Sequence, residues 1–437
     1  EMRLVNNFCK LLKYKYLPWD SWLFFSVLYI LTMNLIVRHD KNQITADWLK
    51  KGLGDNYSIE FKMIPDPGSP EFLNLSEKIK NVIKLDKPDL IISRQVDDRE
   101  TPIAIVEITK SKPVSQHIEQ RMVRIITAAE QGVAAIFVAP KFVRGSKRLK
   151  DGAYQDVQWK FNSKHYQLMY NIGNINKIPT LFYHYPDKDG VMLDDEEFPN
   201  NPKILTDEIK NLFIFLSNLL KESEKINDRN FSFFNNKLVN HEFLKQFNLA
   251  VEKYEINTRA NSTHEVINTV DLKNYLIDNK YFRKYQNDET NKNWIDITFK
   301  NLPERIGARQ KTLILKPKVK SSRLFNHSAD PYVGMLGSFD YAFCRYGPNV
   351  EDRKMNLIFM PLNEDDSHLS KVFAPKGYKS FYDRSCPFKK GTLDQTEDQF
   401  KIAHFLQYGC TFTKNRPLKI YGYFCDLIIF KDGLLVF

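Results

Sequence analysis

The sequence predicts an α/β protein: a mixed central sheet flanked by helices, followed by a second domain of α+β type. Three observations carry this expectation. Residues 88–112, PDLIISRQVDDRETPIAIVEITKSK, read as two apolar strands joined by a polar turn. Residues 114–130 place Ile118, Met122, Ile125 and Ile126 at the spacing of one helix face. The run VAAIFVAP over 133–140 is continuously apolar, as in a strand covered on both sides. At about 150 residues per domain, a chain of 437 residues holds two or three domains. The composition divides it into 1–205, a connecting helix and linker over 206–236, and 237–437.

The other elements follow in order. Ser21–Val37, SWLFFSVLYILTMNLIV, carries no charge and has 17 residues. A membrane span needs about 20 apolar residues. Arg38, His39, Asp40 and Lys41 follow it, not a small-residue cleavage site. The run is therefore expected to be a buried helix. Gln43–Leu53 reads as a short helix, and Tyr57–Ile64 alternates like a strand. PDPGSP over 65–70 breaks the chain. Glu71–Lys84 has helical spacing, and the paired strands take Asp89–Arg94 and Ile103–Thr109. Phe161–Tyr170 reads as a helix, Pro179–Tyr185 as a strand, and Ile209–Lys225 as a helix around LFIFLSNLL. Asp187–Pro202, acidic and broken by prolines, suits a surface excursion.

The formal net charge is +11, and the isoelectric point is about 9.1. Such a balance favours a polyanionic partner, DNA or RNA first. The five cysteines (Cys9, Cys344, Cys386, Cys410 and Cys425) are odd in number and lack the close pairs of a zinc site. They read as reduced thiols of a cytoplasmic protein. Neither GxGxxG nor GxxxxGK[ST] occurs, so no nucleotide-binding loop is indicated.

Two acids stand where apolar strands rarely carry them. Asp89 opens the first strand directly after Pro88, and Glu107 follows Ile103, Ala104, Ile105 and Val106 in the second. A carboxylate buried alone is costly, and two close together raise each other's pKa. Both costs fall if a hard divalent cation lies between them. Mg²⁺ takes one or two carboxylates and completes its shell with water and phosphate oxygens. Plainer readings stand beside this one: Asp89 as a turn residue, and Glu107 as the partner of Lys110 or Lys112 on an edge strand.

The order helix, strand, strand with Pro88-Asp89, strand with Glu107-Ile108-Thr109-Lys110, helix, strand resembles the PD-(D/E)XK nuclease superfamily. The likeness covers about residues 40–185. The next helix, with Gln116 and Gln120-Arg121, is similar to the glutamine-bearing helix that follows the site in several members. The resemblance implies a restriction-endonuclease-like core that hydrolyses phosphodiester bonds with Mg²⁺ as cofactor, held by Asp89 and Glu107. It makes Glu60 a candidate third ligand, although Glu60 also suits a solvent-facing strand position. It makes Gln116 a contact to phosphate or to the water shell of the metal.

In the family the catalytic lysine stands two residues after the acid. Here that position is Thr109, and Lys110 follows, on the opposite face of a regular strand. Three readings stay open. A β-bulge turns Lys110 into the site; or Thr109 holds a water while Lys110, Lys112 or another basic residue supplies the charge; or the site is inactive.

In the second half, residues 305–323 hold Arg305, Arg309, Lys316, Lys318, Lys320 and Arg323 and no acid. This is a candidate track for phosphates. Asn326 and Arg345 are of the types that read adenine and guanine edges. A nuclease core with a basic DNA-recognition domain of similar size resembles a type II restriction endonuclease. That resemblance implies double-stranded DNA as substrate and a homodimer, since palindromic sites mirror two-fold symmetry. Two alternatives share these features: another defence, repair or transposition nuclease of the same fold acting on DNA or RNA, and a DNA-binding protein with a degenerate nuclease core.

Overall fold

The computed structural model describes residues 33–225, 264–302, 311–316, 336–341, 355–360, 368–369, 393–395, 400–404 and 416–437, apart from short gaps within the first two stretches. The first half begins with β1 (Met33–His39), α1 (Gln43–Leu53), β2 (Tyr57–Met63), α2 (Pro70–Leu73) and α3 (Glu77–Ile83). The hairpin β3 (Leu90–Val96) and β4 (Arg99–Ile108) follows, then α4 (Ser115–Glu130) and β5 (Ala134–Pro140). Next come a separate two-stranded ribbon, β6 (Phe142–Arg148) with β7 (Tyr154–Lys160), and α5 (Ser163–Asn176). This half closes with β8 (Thr180–Tyr185), the short pair β9 (Asp187–Lys188) and β10 (Val191–Met192), and α6 (Asp207–Glu222).

The main sheet of this half is mixed and six-stranded, in the order β2-β1-β3-β4-β5-β8. β1 runs parallel to β2 and antiparallel to β3, β3 antiparallel to β4, and β4, β5 and β8 run parallel. Helices cover both faces. Neighbouring residues of a strand point to opposite sides: Phe182 meets Tyr166 of α5, whereas Tyr183 meets Phe215 of α6. Coverage on both sides explains the unbroken apolar runs in β4 and β5, where Ile103–Val106 and Ala134–Ala139 are fully buried. Each such large side chain contributes roughly 1.5–3 kcal/mol. Gly132 ends α4 with φ +64°, the left-handed geometry that glycine adopts without strain, and Val133 N–H returns to the Ala128 carbonyl at 3.0 Å.

Gly52 of α1 lies under α6. A Cβ there would stand 1.9 Å from the Phe213 ring. Gly52→Ala is expected to lower stability by about 1–3 kcal/mol through overpacking, measurable by chemical denaturation.

Two sequence expectations are corrected. The run Ser21–Val37 is not a helix throughout: Met33–Val37 belong to β1, where Leu35, Ile36 and Val37 are buried in the sheet. Its earlier residues lie outside the described residues. The helix expected over Glu71–Lys84 is two helices. Ser69 caps the first by accepting from Phe72 N–H at 3.2 Å, and Ser76 caps the second by accepting from Ile79 N–H at 3.5 Å.

The second half carries β11 (His264–Asn268), α7 (Leu272–Asp278), α8 (Asp288–Lys300), β12 (Lys311–Leu315), β13 (Met355–Phe359), β14 (Leu393–Gln395), β15 (Lys401–His404), α9 (Arg416–Phe424), β16 (Cys425–Phe430) and β17 (Gly433–Val436). Its strands form a second mixed sheet, in the order β11-β12-β13-β16-β17-β15-β14. One apolar core runs through both halves, and a second, built on Phe282, Trp294 and Phe400, lies within the second half. Between the halves, Glu130 at the end of α4 accepts from the hydroxyls of Tyr341, at 2.8 Å, and Tyr423. Asn176 donates to Tyr341 at 2.9 Å, and Lys84 lies over the Tyr423 ring. Among the described residues, no helix is long and apolar enough to cross a membrane.

Candidate active site

The hairpin β3–β4 places the two acids. Leu90 faces Val106 in the antiparallel ladder, so Asp89 and Glu107 stand opposite one another at its open end. They are tied reciprocally. Asp89 N–H donates to Glu107 Oε1 at 3.0 Å, and Ile108 N–H donates to Asp89 Oδ2 at 2.7 Å. The Asp89 side chain keeps 31% exposure, whereas that of Glu107 has none.

Glu107 points towards α4, which presents Arg121 and Arg124 one turn apart on the same face. Arg124 Nη1 lies 3.0 Å from Oε1 and 2.8 Å from Oε2 of Glu107, and 3.8 Å from Oδ1 of Asp89. Its Nε donates to Asp86 Oδ2 at 2.6 Å. Arg121 Nε stands 3.5 Å from Glu107 Oε2. Three carboxyls thus gather round two guanidinium groups, and one nitrogen sits between the two acids of the hairpin.

Burial pushes the Glu107 carboxyl up to about 8; Arg124 pulls against that shift, and the nearby Asp89 charge adds to it. Burial pulls the Arg124 guanidinium down, but Glu107, Asp86 and Asp89 more than offset this and hold it above its ordinary value. Arg124 stays charged, and Glu107 is the group whose charge depends on its surroundings.

β4 is regular towards its end. Its register with β5 runs unshifted from Ala104 to Ile108, and Thr109 N–H continues it to the Val138 carbonyl at 2.9 Å. Thr109 is buried, and its carbonyl accepts from Tyr185 at 2.8 Å. The irregularity in the hairpin falls earlier in β4: consecutive Ile92 and Ser93 of β3 pair with Ala104 and Pro102, so Ile103 is the extra residue, four before Glu107. Lys110 lies outside the described residues.

Glu60 is not brought to the acid pair. It lies on the edge strand β2, with β1 between it and β3, exposed and 2.9 Å from Lys62. Gln116 falls in the first turn of α4, where only its backbone is described. Lys316, just past β12, is part-exposed and 3.7 Å from Glu265. Arg305, Arg309, Lys318, Lys320, Arg323, Asn326 and Arg345 lie outside the described residues.

Sequence reasoning missed Asp86 and Arg124. The available signals were slight: an acid three residues before Asp89, and an arginine three after Arg121. Among the described residues, no group of three or more His, Cys, Asp or Glu side chains is arranged to hold a metal ion. Comparison of the chain with models of protein families, with curated proteins and with solved structures finds no match.

Proposed function

We propose that this chain is a metal-dependent endonuclease that hydrolyses phosphodiester bonds of double-stranded DNA at specific sequences, acting as a homodimer. The observation that carries the reading is the acid pair: Asp89 and Glu107, opposed on adjacent strands, locked by reciprocal hydrogen bonds and already gathered round one cationic nitrogen. The helix–hairpin–helix–strand order around them (α3, β3, β4, α4, β5) supports the same reading.

The donors suit Mg²⁺, which needs only one or two carboxylates. Asp89 offers a partly exposed carboxyl, and Glu107 Oε1 reaches the Asp89 backbone N–H from the opposite strand. The fit has one condition, that Arg124 Nη1 gives up Glu107. Bound there, Mg²⁺ would supply an activated water and neutralise charge on the reacting phosphate. The chain's own residues do the rest. Asp89 and Glu107 are held in place by the hairpin, so little ordering remains to be done when substrate arrives. Arg121, part-exposed beside them and 3.5 Å from Glu107, would supply positive charge for a phosphate oxygen.

One observation favours a second reading. Glu107 is wholly buried and paired with Arg124, as in a purely structural charge cluster of a DNA-binding protein. Plasmid digestion with Mg²⁺ and with EDTA decides between them. Discrete, Mg²⁺-dependent fragments support the sequence-specific enzyme, a smear supports a general nuclease, and intact plasmid supports the binder.

DNA binding is expected to use the basic track. Removing charge at Lys316, Lys318 or Lys320 should weaken binding to all sequences and lower the salt slope by roughly one per lost contact. Binding titrations at several salt concentrations check this; an unchanged slope makes the track a solvated face.

A further inference from the structure

The place between Asp89 and Glu107 already holds a positive charge, and its geometry is unusual for an arginine. A guanidinium that binds a carboxylate tightly uses two nitrogens in parallel. Here a single nitrogen, Nη1, reaches both oxygens of Glu107 and also faces Asp89. It acts as a point charge between two carboxylates, in the place that a divalent ion held by both would take.

The rest of the arrangement does not depend on that nitrogen. Arg124 has a separate anchor, Nε on Asp86 at 2.6 Å. The acid pair has its own ties, from Asp89 N–H to Glu107 and from Ile108 N–H to Asp89. The Nε contact to Asp86 is separate from the Nη1 contacts to Glu107, so Arg124 keeps a carboxylate partner when Glu107 is taken from it.

We infer that Arg124 is the built-in counter-cation of this site: it holds Glu107 in the absence of a divalent ion, and yields Glu107 to that ion while pivoting on Asp86. Arg124 is then a positioning residue and a competitor of the metal. The inference rests on the reading that a divalent ion binds between Asp89 and Glu107.

The test uses Mn²⁺ alone, with free ion counted by electron paramagnetic resonance on the full chain at pH 8.5. Arg124→Met removes the competing charge and should bind Mn²⁺ at least about tenfold more tightly than wild type. Arg124→Lys, which keeps the charge, should stay closer to wild type, and Asp89→Asn should lose the site. Equal or weaker binding by folded Arg124→Met overturns the inference.

A measurement on the wild type keeps the test decisive if that variant does not fold. The side-chain Nε–H resonance of Arg124 should shift saturably as Mg²⁺ is added. No shift at concentrations that displace bound Mn²⁺ overturns the inference. The two failures are distinguishable. If wild type cleaves plasmid with Mg²⁺ but Arg124 neither competes nor moves, the inference alone falls. If wild type neither binds Mn²⁺ nor cleaves, the nuclease reading falls and takes the inference with it.

Discussion

Asp89→Ala and Glu107→Ala are each expected to abolish Mg²⁺-dependent cleavage while leaving DNA binding largely intact. On the proposed reading the two carboxylates serve the reaction, so their loss would fall on rate, and removing negative charge near a phosphate would not weaken binding to DNA. The expected loss is several orders of magnitude. A variant that stays within about tenfold of wild type has lost only ~1.4 kcal/mol of transition-state stabilisation, and that outcome would move the active site elsewhere. The measurement pairs a cleavage time course with binding by gel shift on the same preparation.

Glu107 should also make stability depend on pH, with a definite sign. Its carboxyl titrates near 8 in the folded chain, against an ordinary 4.5. Between those values the unfolded chain has released the proton and the folded chain still holds it. The contribution of Glu107 is therefore fully present below about pH 4.5 and is lost as pH rises towards 8, at ~1.4 kcal/mol per pH unit. Glu107→Gln lacks the titration. Denaturation of both proteins from pH 5 to 8 should show the difference moving in favour of the variant by a few kcal/mol. A constant difference across that range would mean that Arg124 holds Glu107 ionised throughout.

Much of the first half was legible because local signals agreed there. The apolar hairpin, the spacing of Ile118, Met122, Ile125 and Ile126, and the run 133–140 match β3, β4, α4 and β5 to within a few residues. The run at Ser21–Val37 misled because apolar residues without a period fit a buried strand as well as a buried helix. At the site, the sequence pointed to the two acids, and the antiparallel register supplied their opposition. It could not supply the partners. Arg124 meets Glu107 only because α4 folds back over β4, and Asp86 joins only through the turn before β3. Glu60 shows the converse. Alternation along β2 gave its face, but not the fact that β1 lies between that strand and Asp89.

The clasp at Glu130 bears on any attempt to divide this chain. The helix that carries Arg121 and Arg124 ends on two tyrosines from the second half, and Gly337 lets that half come so near that a Cβ there would stand 2.6 Å from Ile126. A fragment ending near residue 225 would keep every member of the charge cluster. It would also lay open the outer face of the very helix that aligns them, with Glu130 stripped of both hydroxyls and Ile126 facing water. Loss of activity in such a fragment would therefore report an unsupported helix as readily as a missing DNA-reading surface, and single substitutions in the intact chain separate the two.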